Sequence, residues 1–203
     1  MTHVGNVFLV DDDEALRRAT TRQLAACGHT VIAYASAEEF LKHFDPAKPG
    51  CVLLDLRMPG TSGLELQRML RERGSCIPIV FLTGHADVPT TVFAMKEGAM
   101  DVLEKPVSES QLLAALQRAL ERDALLRREQ GDRAELERRF ASLTPREREV
   151  FRALSLGARN KQAAQEMGIT ERTVKLHRAH VLSKMGAATL ADLGRIAERL
   201  GPR

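Results

Sequence analysis

Four residues suited to phosphoryl chemistry, Asp11, Asp55, Thr83 and Lys105, each follow a short apolar run, at spacings of 44, 28 and 22 residues. The first lies in FLVDDDE, where Asp11, Asp12 and Asp13 are consecutive; the others lie in VLLDLRMPG, IVFLTGHAD and VLEKP. Two carboxylates about 4 Å apart repel by roughly 4 kcal/mol at an effective dielectric near 20, so a buried cluster needs a counter-charge. Carboxylates with a backbone carbonyl and water suit a hard divalent cation, and Mg²⁺ favours few carboxylates together with phosphate oxygens. Lysine and threonine are not needed to hold such an ion. They suit the neutralising and hydrogen bonding of phosphoryl oxygens. A carboxylate such as Asp55 can then act as nucleophile and become an acyl phosphate. Alone, an acidic run is ordinarily a solvated turn or a helix N-terminus favoured by the dipole. The ordered set of four, each with a separate chemical role, favours a site.

A second chemistry lies in NKQAAQEMGITERTVKLHRA, Asn160 to Ala179. Ala164 is small where two helices would cross, Gly168 can take the positive φ of a turn, and Thr170 is a sound N-cap. On the helix that follows, Arg172, Lys175, Leu176 and Ala179 share one face, with Thr173 beside them, while Val174, Val181 and Met185 point toward a core. Such a face can read bases, with lysine for guanine edges and apolar groups for thymine methyls. Asn160, Lys161, Arg178 and Lys184 are candidates for phosphate contacts. The competing reading is a three-helix bundle with an ordinary charged surface.

The elements that must position these groups alternate along the first 125 residues. Apolar runs at Val7–Val10, Val31–Tyr34, Val52–Leu54, Ile77–Leu82 and Val102–Leu103 predict strands. Helix-period segments fall at Glu14–Cys27, Ala37–Phe44, Leu64–Arg73, Thr90–Glu97 and from Glu109 onward. This alternation predicts an α/β fold with a doubly wound, five-stranded parallel sheet, flavodoxin-like, whose strand ends converge at one edge. Asp13 and Glu14 are expected at the start of the first helix. A charged stretch, residues 125–141, reads as a helical linker with a break at Gly131. LTPRERE then starts an all-α region, residues 142–203, with Thr144 as N-cap, Pro145 at N1 and Glu147 at N3. The expected domains are 1–124 and 142–203.

Charge divides along the same line. Residues 1–125 hold 13 Lys+Arg against 17 Asp+Glu, whereas residues 126–203 hold 17 against 10. The acidic part and the basic part therefore suggest different partners, with a polyanion suited to the second. Three cysteines offer no paired spacing, which fits a reducing cytoplasm. The N-terminus lacks the pattern of a signal peptide, and the longest uncharged run, Gln23 to Ala37, is too short and polar to span a bilayer, so no membrane partner is expected.

Residues 4–124 resemble the receiver domain of bacterial two-component response regulators, through VDDDE, LLDLRMPGTSG, FLTGHADV and EKP. LTPREREV, NKQAAQEMGIT, TVKLHR and KMG resemble the LuxR-type helix-turn-helix domain, and the domain order is similar to that of FixJ-type regulators. The resemblance implies that Asp55 accepts a phosphoryl group from a sensor histidine kinase. It implies that Asp12, Asp55 and the Arg57 carbonyl bind Mg²⁺ directly, with Asp11 acting through water. Thr83 and Lys105 would contact the phosphoryl group, and a cis Lys105–Pro106 bond is implied. The implied function is a cytoplasmic transcriptional regulator that binds double-stranded promoter DNA. It would form a homodimer on phosphorylation, through its fourth helix and fifth strand, with the final helix, Leu190 to Leu200, completing a DNA-bound dimer. The chain would promote only its own phosphoryl transfer and dephosphorylation, and would not be an enzyme on other substrates. An aspartyl-phosphate phosphatase would want a second carboxylate two residues after Asp55, where Arg57 stands. The alternative is an interaction protein whose basic bundle binds protein or RNA. Three positions depart from the family pattern: Val102 where an aromatic residue is common, Arg159 before the Asn-Lys pair, and His180 where asparagine is frequent. His177 and His180 lack the further ligands of a zinc site, so packing and backbone contacts are expected for them.

Overall fold

The computed structural model describes residues 5–84 and 87–201 and contains two compact units, residues 1–127 and 128–203. His85 and Ala86, inside FLTGHADV, lie outside the described residues.

In the first unit five strands, β1 (Asn6–Val10), β2 (Thr30–Tyr34), β3 (Gly50–Asp55), β4 (Ile79–Thr83) and β5 (Asp101–Glu104), form one parallel sheet in the order β2-β1-β3-β4-β5. Between them run α1 (Glu14–Ala26), α2 (Ala37–His43), α3 (Gly63–Glu72) and α4 (Val88–Lys96); α5 (Glu109–Ala141) follows β5. Alternate side chains leave a strand on opposite faces, and the two faces fill two cores. Phe8, Val10, Val52, Leu54 and Phe81 pack with Phe40, Leu66, Leu70 and Ala94 from α2, α3 and α4. Val7, Leu9, Leu53, Val80 and Leu82 pack with Leu24 of α1 and with Leu112, Leu116 and Leu120 of α5. Continuous apolar strands are thus explained by burial on both faces.

The expected break at Gly131 is not present: α5 continues through it. A glycine costs a helix only about 1 kcal/mol relative to alanine. Its neighbours Gln130, Arg133 and Ala134 are good helix formers, and Arg133–Glu137 and Arg139–Glu135 are ion pairs one turn apart. Near the end of the first unit, the Arg127 side chain of α5 is fastened to the loop before β3. Its guanidinium meets Asp123 at 2.8 Å and donates to the carbonyls of Pro46, Ala47 and Lys48.

The second unit packs Leu136 and Phe140 of α5 with α6 (Pro145–Ser155), α8 (Glu171–Met185) and α9 (Leu190–Leu200) around Val150, Phe151, Leu154, Val181 and Leu193. The expected capping box is formed, with Thr144 Oγ1 accepting from the Glu147 amide and Glu147 accepting from the Thr144 amide. Helix α7 (Asn160–Met167) ends on Gly168, whose φ of 64° makes the turn into α8. Ala163, Ala164 and Val174 close the crossing of α7 and α8.

Candidate functional site

Because all five strands are parallel, their carboxyl ends share one edge of the sheet, and the switch in strand order falls between β1 and β3. Asp11 follows β1 and Asp55 is the last residue of β3, so these carboxylates flank the switch point. Carboxylate oxygens of Asp11, Asp12 and Asp55 all lie within 4.8 Å of one another. Asp11 is 1% exposed, whereas Asp12 faces solvent. One Asp11 oxygen accepts the Asp13 amide at 2.9 Å, and the other lies 3.0 Å from Lys105 Nζ. The same ammonium is 3.3 Å from Asp55. Burial raises the pKa of the Asp55 carboxyl above its usual value; Lys105 opposes that shift and Asp11 adds to it.

Three hard oxygen donors against one ammonium leave a net negative pocket, and that donor set fits a divalent cation such as Mg²⁺. Thr83, at the end of β4, is 1% exposed and its carbonyl accepts the Lys105 amide at 2.7 Å. The Lys105–Pro106 peptide is cis. Asp13 does not join the cluster. Its side chain caps α1 by accepting from the amides of Ala15 and Leu16, as expected of a carboxylate at a helix N-terminus.

Two features of this edge escaped the sequence reading. A Cβ at Gly63, the first residue of α3, would sit 2.3 Å from the Asp55 carbonyl, so only glycine lets the helix approach the strand end this closely. Glu38 of α2 accepts from both the amide and the hydroxyl of Thr61, fastening the loop that follows Asp55. Neither had a local signal: Gly63 reads as an ordinary turn residue and Glu38 as a surface charge.

Val102 is half-buried against the core of the α2–α4 face and pairs with Phe81 across the sheet. On α4, Val88, Val92, Phe93 and Met95 are exposed.

In the second unit Arg172, Lys175, Leu176 and Ala179 are exposed along α8, with Thr173 half-buried beside them. Lys161 is exposed, and Asn160 and Arg178 are half-buried. Lys184 has another engagement. Its ammonium lies 2.6 Å from the buried Glu147 carboxylate, and His180 Nδ1 is 3.6 Å from the other oxygen. The Lys184 hydrogen bond is the main reason that the Glu147 carboxyl is held down to about 2. The sequence predicts only a helix cap for Glu147; its pairing with Lys184 of α8, 37 residues on, is purely tertiary.

A parallel sheet with an acidic, lysine-bridged edge, followed by a helix-turn-helix bundle, defines a signal-receiving module joined to a nucleic-acid-reading one. Residues 7–117 match the family described as "Response regulator receiver domain", and residues 141–197 match "Bacterial regulatory proteins, luxR family". Nodulation protein W of Bradyrhizobium diazoefficiens is 46% identical over 195 residues, covering 96% of this chain and 86% of that protein. The transcriptional regulatory protein FixJ of Azorhizobium caulinodans is 43% identical over 191 residues, covering 94% and 90%. Response regulator StyR superposes with a TM-score of 0.87 at 42% identity, over 96% of this chain and 98% of that one. The chain belongs to the two-component response regulators that carry a receiver domain and a LuxR-type DNA-binding domain. It is therefore a transcriptional regulator built from those two parts.

Proposed function

We propose that Asp55 accepts a phosphoryl group from a sensor histidine kinase and that the phosphorylated chain binds promoter DNA as a dimer. The observation that carries this is the convergence of Asp11, Asp12 and Asp55 around one lysine at the switch point of the sheet. The Asp55 carboxylate is the nucleophile, partly buried and 3.3 Å from the Lys105 ammonium. In this reading Lys105 neutralises the transferred group and Thr83 hydrogen-bonds it. Asp11, Asp12, Asp55 and the Arg57 carbonyl would hold Mg²⁺, which supplies charge neutralisation at phosphoryl oxygens when bound.

On α8, Arg172, Thr173, Lys175, Leu176 and Ala179 form the base-reading face, with Asn160, Lys161 and Arg178 on phosphates. Lys184 takes a supporting role, because its ammonium is already paired with Glu147. The exposed apolar residues of α4, next to β5, are the surface assigned to dimerisation, and two helix-turn-helix units then call for a roughly palindromic site. No described helix is long and apolar enough to cross a membrane. The cytoplasm, where kinase and promoter are both accessible, is the assigned compartment.

The test is incubation with acetyl phosphate and Mg²⁺, followed by intact-mass measurement, size-exclusion chromatography and gel shifts on duplex DNA and RNA across salt concentrations. The wild type should gain one phosphoryl group, dimerise and prefer duplex DNA, while Asp55→Asn should do none of the first two. An Asp55→Asn protein that is still labelled and dimerises overturns the assignment.

A further inference from the structure

The loop from Leu56 to Ser62 joins the end of β3 to α3, so it carries Arg57 and sets the exit direction of Asp55. Its far end is closed by the capping box of Ser62 and Glu65, and Leu56 and Met58 are buried in the core beneath it. Just before that cap, half-buried Thr61 is held by a residue from another helix. Glu38 Oε1 accepts the Thr61 hydroxyl at 2.6 Å and the Thr61 amide at 3.2 Å. Arg57, on the near side of the loop, lies 3.8 Å from Asp87, the N-cap of α4. The loop is therefore fastened to α2 at Thr61 and reaches toward α4 at Arg57.

We propose that Glu38 is a positioning residue for the phosphoacceptor loop: through Thr61 it fixes the path of residues 56–62, and thereby the Arg57 carbonyl and the Asp55 carboxylate. This rests on the reading of Asp55 as phosphoacceptor and extends it to a residue on α2 that touches neither metal nor phosphoryl group.

Three features support a role in setting geometry. First, Glu38 uses one oxygen for two donors of a single residue, which fixes both the position and the orientation of the Thr61 peptide. Second, Gly60 precedes Thr61 with φ of 75°, and its Cβ position is 3.3 Å from that same Glu38 oxygen, so the turn brings the backbone close to the carboxylate. Third, the Glu38 carboxyl is lowered to about 2, first by the Thr61 hydroxyl and then by its own amide, the Ser36 hydroxyl and the Thr61 amide, so the contact that fastens the loop is the largest influence on this carboxyl. The pair is exposed, and a solvent-exposed charged hydrogen bond adds little to global stability. Its effect should therefore appear in the site and not in the melting temperature.

The experiment compares wild type, Glu38→Ala, Glu38→Gln, Thr61→Val and Thr61→Ser as full chains. Each is titrated with Mg²⁺ by calorimetry and labelled with acetyl phosphate at limiting and saturating Mg²⁺. Glu38→Ala and Thr61→Val should weaken Mg²⁺ binding roughly three- to tenfold, the range of one modest hydrogen bond. Their labelling should slow by a similar factor at limiting Mg²⁺ and recover at saturation. Glu38→Gln and Thr61→Ser, which keep the acceptor and the donor, should stay within about twofold of wild type. Melting temperatures should be alike, so that a purely structural role would not give this pattern. Wild-type Mg²⁺ affinity and labelling in Glu38→Ala, or a Glu38→Gln defect as large as that of Glu38→Ala, overturns the proposal. Labelling that survives in an Asp55→Asn control overturns instead the phosphoacceptor reading on which it rests.

Discussion

The Lys105 ammonium lies closer to Asp11, at 3.0 Å, than to the proposed nucleophile Asp55, at 3.3 Å. Asp11 is nearly fully buried, so this lysine is its counter-charge as well as the donor to phosphoryl oxygens in the proposed function. One cation thus serves two carboxylates whose mutual repulsion already contributes to raising the Asp55 pKa.

Replacing that lysine should separate its two roles. Lys105→Ala leaves three converging carboxylates with no ammonium among them, which raises the pKa of Asp55 further and makes the pocket more negative. At neutral pH its Mg²⁺ affinity should rise roughly threefold or more, as Coulombic attraction to a divalent ion grows. Its labelling by acetyl phosphate should nonetheless fall at least tenfold or so, because a donor to the transferred group is lost. Calorimetry and gel separation of the phosphorylated form measure both. Weaker Mg²⁺ binding in the variant would contradict this account of the pocket.

The aspartates of FLVDDDE should respond unequally. Asp12→Ala removes one of three convergent carboxylates and should abolish saturable Mg²⁺ binding. Asp13→Ala removes the α1 cap instead, costing about 1 kcal/mol of stability while sparing the metal. Denaturant midpoints and Mg²⁺ titrations of the two variants should therefore sort in opposite directions.

Acid should act on the second unit through Glu147. Its folded pKa of about 2 lies below the ordinary 4.5, so its contribution to stability is present above 4.5 and is lost as pH falls toward 2. Glu147→Gln should be less stable than wild type at neutral pH, and the gap should close across that acidic window. Far-UV circular dichroism melts from neutral to acidic pH test it. A gap that persists unchanged at the lowest pH would mean that packing, not charge, is what the substitution removes.

The two lysines of α8 should separate reading from folding. Lys175 is exposed on the proposed base-reading face, so Lys175→Ala should weaken DNA binding by about 1–3 kcal/mol and relax its sequence preference. Lys184→Ala leaves the buried Glu147 without its 2.6 Å partner and should cost about 1–2 kcal/mol of stability, with the salt slope retained. A Lys184 variant of normal stability and reduced salt slope would return that residue to the DNA contacts.

How far such features were legible follows from their range in sequence. The strands, the receiver cluster, the Thr144 cap and the Gly168 turn were readable because each is announced by local periodicity or by residues of distinct chemistry at a strand end. The Glu147–Lys184 pair, the Glu38–Thr61 contact and the Asp123–Arg127 grip on the 46–48 carbonyls were not. Each joins ordinary charged residues to a distant element, and nothing in a solvated charge indicates which fold neighbour will claim it. Gly131 misled in the other direction, since glycine signals a break only when its neighbours cannot carry the helix through.

That glycine offers a last, direct test. It lies within α5 with nothing within 4 Å of where a Cβ would project, so alanine fits without steric cost. If the helix is continuous in solution, Gly131→Ala should stabilise it by about 0.5–1 kcal/mol by removing the entropic cost of glycine. Amide hydrogen exchange around residue 131 should then slow by roughly two- to fivefold, the factor set by that free energy if local opening limits exchange. If the chain instead breaks there with a positive φ, alanine would strain the break, and exchange would stay fast or quicken. Because the position touches no neighbouring side chain, the change reports on the backbone of the linker alone.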